Sequence, residues 1–210
     1  MQRAPDLHPM TNLGRSPRSS PATTHRFSLE GDFMERLEGR ERREAIPQDV
    51  VASKLSCSRG CLSADLGAGI GYFTFPLAKR AGRVIAIDIE PKMLEVISMR
   101  IAEHEADNIA PVRGEITATP LADSSMDHVL AAFVYHEVGS QQNLLRECAR
   151  ILRSSGRLDL LDFQKCETSF GPPVSDRKTP EHVIGNASNA FKLESRFETD
   201  VFYQLSFSKK

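Results

Sequence analysis

Apolar and polar positions divide this chain into stretches that alternate between two periods. Short apolar-rich runs read as strands of a covered sheet: Cys61, Leu62, Ala64 and Leu66, then residues 84–87, then 157–163. Another runs from Asp127 or His128 to Tyr135, and a weaker one spans 109–113. Between them the period changes to that of a helix. Met93, Leu94, Ile97 and Ile101 share one face after Pro91, and Leu144, Leu145, Cys148, Ile151 and Leu152 form a second stripe. Strands alternating with helices predict an α/β domain built on a parallel sheet. Near the end the order changes. Pro180 opens a helix to about Ala190, weakened at Gly185, and two strand-like runs, 191–198 and 201–208, flank Thr199-Asp200 as a hairpin.

The N-terminal part is different in kind. Residues 1–26 hold Pro5, Pro9, Pro17 and Pro21 among Ser, Thr and Arg, without an apolar period, and read as a disordered tail. No secretory apolar segment is present in it. Residues 27–60 read as a helical cap: a short helix over 32–37, a mixed-charge run Arg40-Glu41-Arg42-Arg43-Glu44 read as a solvated surface, and a second helix opened by Pro47. The core then spans 61–210.

The most informative stretch is Ala64-Asp65-Leu66-Gly67-Ala68-Gly69-Ile70-Gly71-Tyr72-Phe73, followed by a second strand ending in Asp88. Strand, Gly-rich turn, helix, strand and acid form a nucleotide-binding βαβ layout. A dinucleotide site requires G-x-G-x-x-G, so an NAD-linked oxidoreductase needs glycine at position 72, where Tyr72 stands. The G-x-G-x-G spacing instead leaves free backbone N–H groups near Tyr72 with Asp65 at the mouth of the turn, and Asp88 ends the second strand where a nucleoside's two ribose hydroxyls need a carboxylate.

These residues resemble class I S-adenosylmethionine (SAM) dependent methyltransferases, and the resemblance extends over about 27–208. Pro120-Leu121-Ala122-Asp123-Ser124-Ser125-Met126-Asp127 is similar to the family's loop before strand four, and the segment from Glu147 to Phe163 to its turn and fifth strand. The resemblance implies a Rossmann-like three-layer αβα sandwich, with a seven-stranded, mostly parallel sheet and an antiparallel C-terminal hairpin strand. It implies SAM as cofactor and S-adenosylhomocysteine (SAH) as product, with Asp65, Gly67, Ala68, Gly69, Gly71, Tyr72, Asp88, Ile89, Met93, Glu115, Ile116 and Phe133 around it. Most relatives carry Asp where this chain has Glu115, a longer side chain that still reaches an adenine amino group. The implied reaction is transfer of the sulfonium methyl to a small-molecule acceptor by in-line displacement.

His136-Glu137 follows the fourth strand at the sheet edge where ligands bind, which makes the pair the candidate catalytic group. A helix-capping or packing role for His136 is the alternative. Phe27, Phe33 and Met34 are candidates for an apolar lid over the acceptor, or for core packing alone. Arg177, in a Gly-Pro-Pro loop, is the candidate partner of an anionic acceptor.

Composition narrows the class further. A net charge of −1 and the absence of an Asn/Asp-Pro-Pro-Tyr run argue against a nucleic-acid substrate. The apolar run from Val129 to Tyr135 is too short to span a membrane. H-E-x-x-H would need histidine at 140, where Ser140 stands, and the four cysteines complete no zinc set, so no metal is expected. Reduced thiols, a cytoplasmic location and a monomer or homodimer are the remaining expectations. The non-catalytic alternative is a SAM- or SAH-binding protein that has lost turnover.

Overall fold

The computed structural model describes residues 37–210. Phe27, Phe33, Met34 and the helix expected over 32–37 lie wholly or mainly outside that range. The charge run forms α1 (Arg40–Ala45), and Pro47 opens α2 (Gln48–Ser53). Ile46, Val51 and Leu55, on and beside these helices, are buried in the same apolar cluster as Leu77, Val84 and Phe133.

The core alternates β1 (Leu62–Leu66), α3 (Thr74–Ala78), β2 (Arg83–Asp88), α4 (Pro91–His104), β3 (Ile109–Arg113), β4 (Met126–Ala132), α5 (Gln141–Ile151) and β5 (Leu152–Phe163). Then come α6 (Pro180–Ala187), β6 (Phe191–Glu198) and β7 (Phe202–Lys209). Helix starts follow local chemistry. Ser140 accepts from the Asn143 N–H to begin α5, and Thr179 accepts from the His182 N–H ahead of Pro180 to begin α6. The apolar stripes point inward as expected: Leu144, Leu145, Cys148 and Ile151 are all buried.

The strands make one seven-stranded sheet in the order β3-β2-β1-β4-β5-β7-β6. Pairs from β3 through β5 are parallel, whereas β5–β7 and β6–β7 are antiparallel. The expected fold is therefore present, including the C-terminal hairpin. Between β1 and β4 the chain's direction of travel across the sheet reverses. Ligands of open α/β sheets bind at the carboxyl edge beside such a point.

Three local expectations are corrected. β4 ends at Ala132 rather than Tyr135, because Phe133, whose N–H still donates to Leu161 O, takes φ 59° and turns the chain out of the strand. β5 begins at Leu152, so Ser154-Ser155-Gly156 lies within the strand instead of preceding it. Cys57 and Cys61 are not free thiols: the turn between them brings their Cα atoms to 6.2 Å, and they form a disulfide. Cys148 and Cys166 are free, the first buried.

A buried polar line crosses the sheet. Ser63 Oγ lies 2.7 Å from His128 Nδ1, and His128 Nε2 lies 2.9 Å from Asp159 Oδ2. Asp159 also accepts from the Ser56 N–H and hydroxyl and from the Ser206 hydroxyl. Ser, His and Asp in contact suggest a nucleophilic triad, but the two ring nitrogens are exchanged relative to that arrangement. All three residues are at most 1% exposed, so no substrate reaches them. The line pins β1, β4, β5, β7 and the segment before β1 together.

Candidate active site

The Gly-rich turn leaves β1 at the reversal point. Gly67, Gly69 and Gly71 have φ of 72°, 54° and 85°, a region that side chains with a Cβ enter at a cost. At Gly67 a Cβ would also lie 2.4 Å from Val134 Cγ1, so the close approach of the segments that follow β1 and β4 requires glycine there. At Gly69 the reason differs. A Cβ would meet nothing within 4 Å, so the turn faces open space. Ala68 is buried, and Met93 packs with Ile70 beneath the turn.

Asp88, the last residue of β2, borders that space. Its Oδ2 accepts from the Gly69 N–H at 2.8 Å and its Oδ1 from the Glu90 N–H at 2.9 Å. Each oxygen keeps a lone pair. Burial pushes the Asp88 carboxyl upward, against the two hydrogen bonds that favour its charge. Ile89 beside it is 57% exposed, an apolar surface next to a carboxylate. An open glycine bend, a carboxylate with lone pairs to spare and an exposed apolar side chain fit the adenosyl part of SAM.

The remaining cofactor candidates are spread along the same edge. Asp65 is buried, and its Oδ2 accepts from the Thr74 hydroxyl at 2.6 Å, tying β1 to the start of α3. Burial raises its carboxyl to about 6, against the Thr74 hydrogen bond. α3 starts at Thr74, two residues beyond Tyr72, and Tyr72 donates its hydroxyl to Ile46 O. Glu115 is exposed and turned to its own loop, accepting from the Thr117 N–H and hydroxyl. Ile116 is half-buried against the core.

On the other side of the reversal point, His136 is held by a residue that the sequence reading missed. Its Nδ1 is 2.6 Å from Asp162 Oδ1, and its backbone N–H donates to Asp162 Oδ2 at 3.0 Å. Asp162 is fully buried near the end of β5. Glu137 is 62% exposed, with Oε1 3.6 Å from His136 Nε2. Burial opposes a charge on His136, but hydrogen bonds to Asp162 and Glu137 outweigh it and raise the imidazole to about 9. Two acids in Leu158-Asp159-Leu160-Leu161-Asp162, an otherwise apolar strand run, were the signal available in the sequence.

Phe133 sits among Phe73, Phe163 and Phe202, with ring centroids 5.9, 4.7 and 6.3 Å away. Arg177 is corrected as a substrate residue. Its guanidinium is 2% exposed and donates to Pro172 O, Gln164 O, Cys166 O, the Thr168 hydroxyl and Phe170 O. Those bonds engage all three of its nitrogens, so Arg177 closes its own loop and has none left over for a ligand. No cluster of metal-binding side chains occurs among the described residues, and no helix there is long and apolar enough to cross a membrane.

Comparison with known proteins agrees with this geometry. Residues 64–160 match the family described as Methyltransferase domain. Over 149 residues the chain is 32% identical to an arsenite methyltransferase of Halobacterium salinarum, covering 70% of this chain and 38% of that protein. It is 34% identical over 110 residues to the ubiquinone/menaquinone biosynthesis C-methyltransferase UbiE of Hahella chejuensis, covering 50% and 44%. The chain thus spans less than half the length of either relative. A SAM-dependent methyltransferase structure from Aquifex aeolicus superposes with a TM-score of 0.78 at 20% identity, over 87% of this chain and all of that one. The [4+2]-cyclase SpnF superposes at 0.67 with 15% identity, over 77% and 80%, so the fold alone does not specify methyl transfer. With the family match, the reversal-point glycines and the strand-ending carboxylate in place, residues 64–160 belong to the Methyltransferase domain family, and the chain has the class I SAM-dependent methyltransferase fold.

Proposed function

We propose that this protein transfers a methyl group from SAM to a small-molecule acceptor. The observation that carries the reading is the open bend at Gly69 with Asp88 directly bonded to it. Asp88 would hold the ribose hydroxyls through its free lone pairs, Ile89 and Met93 would border the adenosine, and Asp65 Oδ1 would receive the ammonium group. When bound, SAM supplies an electrophilic sulfonium methyl and departs as neutral SAH. The chain's own part is to align the acceptor and exclude water, which the aromatic wall of Phe73, Phe133 and Phe163 suits. His136 is the group that would take a proton from the acceptor or hold its oxygen by hydrogen bonding.

Incubation with labelled SAM and a pool of small metabolites tests the reading through SAH release. Tight SAM uptake without SAH release would favour the non-catalytic alternative. The Asp65 assignment makes its own prediction. Only the carboxylate form pairs with an ammonium group, and that form prevails above about 6. SAH affinity measured by calorimetry should therefore fall as pH drops from 7 to about 5. A flat profile would remove Asp65 from ammonium recognition.

A further inference from the structure

One further side chain, that of Arg42, faces the aromatic wall of this site. Arg42 lies on α1, inside the run whose charges read as a solvated face. Instead its guanidinium sits over three rings, 5.0 Å from the Phe133 centroid, 5.6 Å from Tyr72 and 5.9 Å from Phe163. Its Nε is buried without a hydrogen-bond partner. Among the described residues no carboxylate pairs with it and none of its N–H groups donates. Burial lowers its pKa, while the charge of Glu137 supports it only from a distance.

A guanidinium nitrogen buried without an acceptor is costly, because the Arg42 Nε–H forfeits the bond that it had in solvent. Aromatic faces offset part of that by cation–π attraction, but they fill none of its donors. Arg177 shows the contrast within the same molecule: it too lies over Phe163, at 5.1 Å, yet every one of its nitrogens has acceptors. Position narrows what could complete Arg42. Phe133 and Phe163 follow β4 and end β5, across the reversal point from Asp88 on β2. His136 lies against the same Phe163 ring, at 5.9 Å. Its charge is already met by Asp162 and Glu137, so His136 does not supply the counter-ion for an anion held over these rings.

We propose that Arg42 recognises the methyl acceptor, and that the acceptor carries a carboxylate seated against this guanidinium. The planar fork of an arginine matches the two oxygens of a carboxylate, and the rings around it suit a flat body. The inference rests on the cofactor reading above, since the acceptor would lie beside the bound cofactor.

The test uses the full-length protein loaded with SAH, and two probes of one shape, benzoate and benzamide, followed by ligand-observed NMR. Benzoate should bind the loaded wild type at least about tenfold more tightly than benzamide. Arg42→Gln should weaken benzoate roughly 10- to 100-fold and erase the preference, with Arg42→Lys recovering only part of it. SAH affinity should stay within about threefold in both variants. Equal binding of the two probes by wild type, or binding of neither at millimolar concentration, overturns the proposal. Loss of SAH affinity in Arg42→Gln also overturns it, because the guanidinium would then serve the cofactor's own carboxylate. Failure of wild type to bind SAH is a separate result that removes the underlying cofactor reading as well.

Discussion

His136→Ala is expected to lower turnover of the SAM-loaded protein by roughly 100-fold or more, while SAH affinity changes little. The imidazole lies across the reversal point from Asp88, so its loss should not disturb adenosine binding. Asp162 fixes the ring by accepting from Nδ1 and from the His136 backbone N–H, which leaves Nε2 toward Glu137 and the edge. The same pair predicts a pH signature. With the imidazole raised to about 9, a rate that needs neutral His136 should climb as pH approaches 9. Asp162→Asn removes the main cause that raises it, so the limb should move down toward 6.5. The stability linkage has the matching sign. The charged pair stabilises the fold fully below about 6.5, and that contribution is lost as pH rises through about 9. Equal loss of turnover and cofactor affinity in His136→Ala would make the residue structural, and an unmoved limb in Asp162→Asn would exclude this pairing from the reaction.

Asp159→Ala should cost about 3–5 kcal/mol of folding stability, measured by urea unfolding. The carboxylate is the hub of the buried line. Removing it leaves His128 Nε2, the Ser56 N–H and hydroxyl, and the Ser206 hydroxyl without their acceptor. Each orphaned polar group carries a desolvation cost. A change below about 1 kcal/mol would mean that water or a neighbouring group replaces the carboxylate, and that the line contributes little.

Both predictions turn on acids of β5, and neither was assigned from the sequence. The reason is physical. Glycines, prolines and strand-ending acids act through the local backbone, so Gly67, Gly69, Gly71, Pro91 and Asp88 could be placed from spacing alone. Asp159 and Asp162 acquire their partners through the pairing of β4 with β5, which brings Val129 opposite Leu158 and Ala131 opposite Leu160. Nothing local specifies that register. Arg42 and Arg177 went wrong in opposite directions for the same reason. A charge run reads as solvated and a loop arginine as available, until tertiary packing places one over aromatic rings and the other among its own loop carbonyls. The hairpin at the C-terminus needed no such context, since its alternation and the Thr199-Asp200 turn are local features.

The central claim is that the Gly69 bend and Asp88 together hold the adenosyl group of SAM. Calorimetric titration of SAH into wild type and Asp88→Ala tests it most directly. The account predicts saturable one-site binding by wild type and a loss of about 1.5–3 kcal/mol in the variant, the scale of hydrogen bonds to a charged group. Equal affinity of the two proteins, or no uptake by wild type at millimolar SAH, would contradict it.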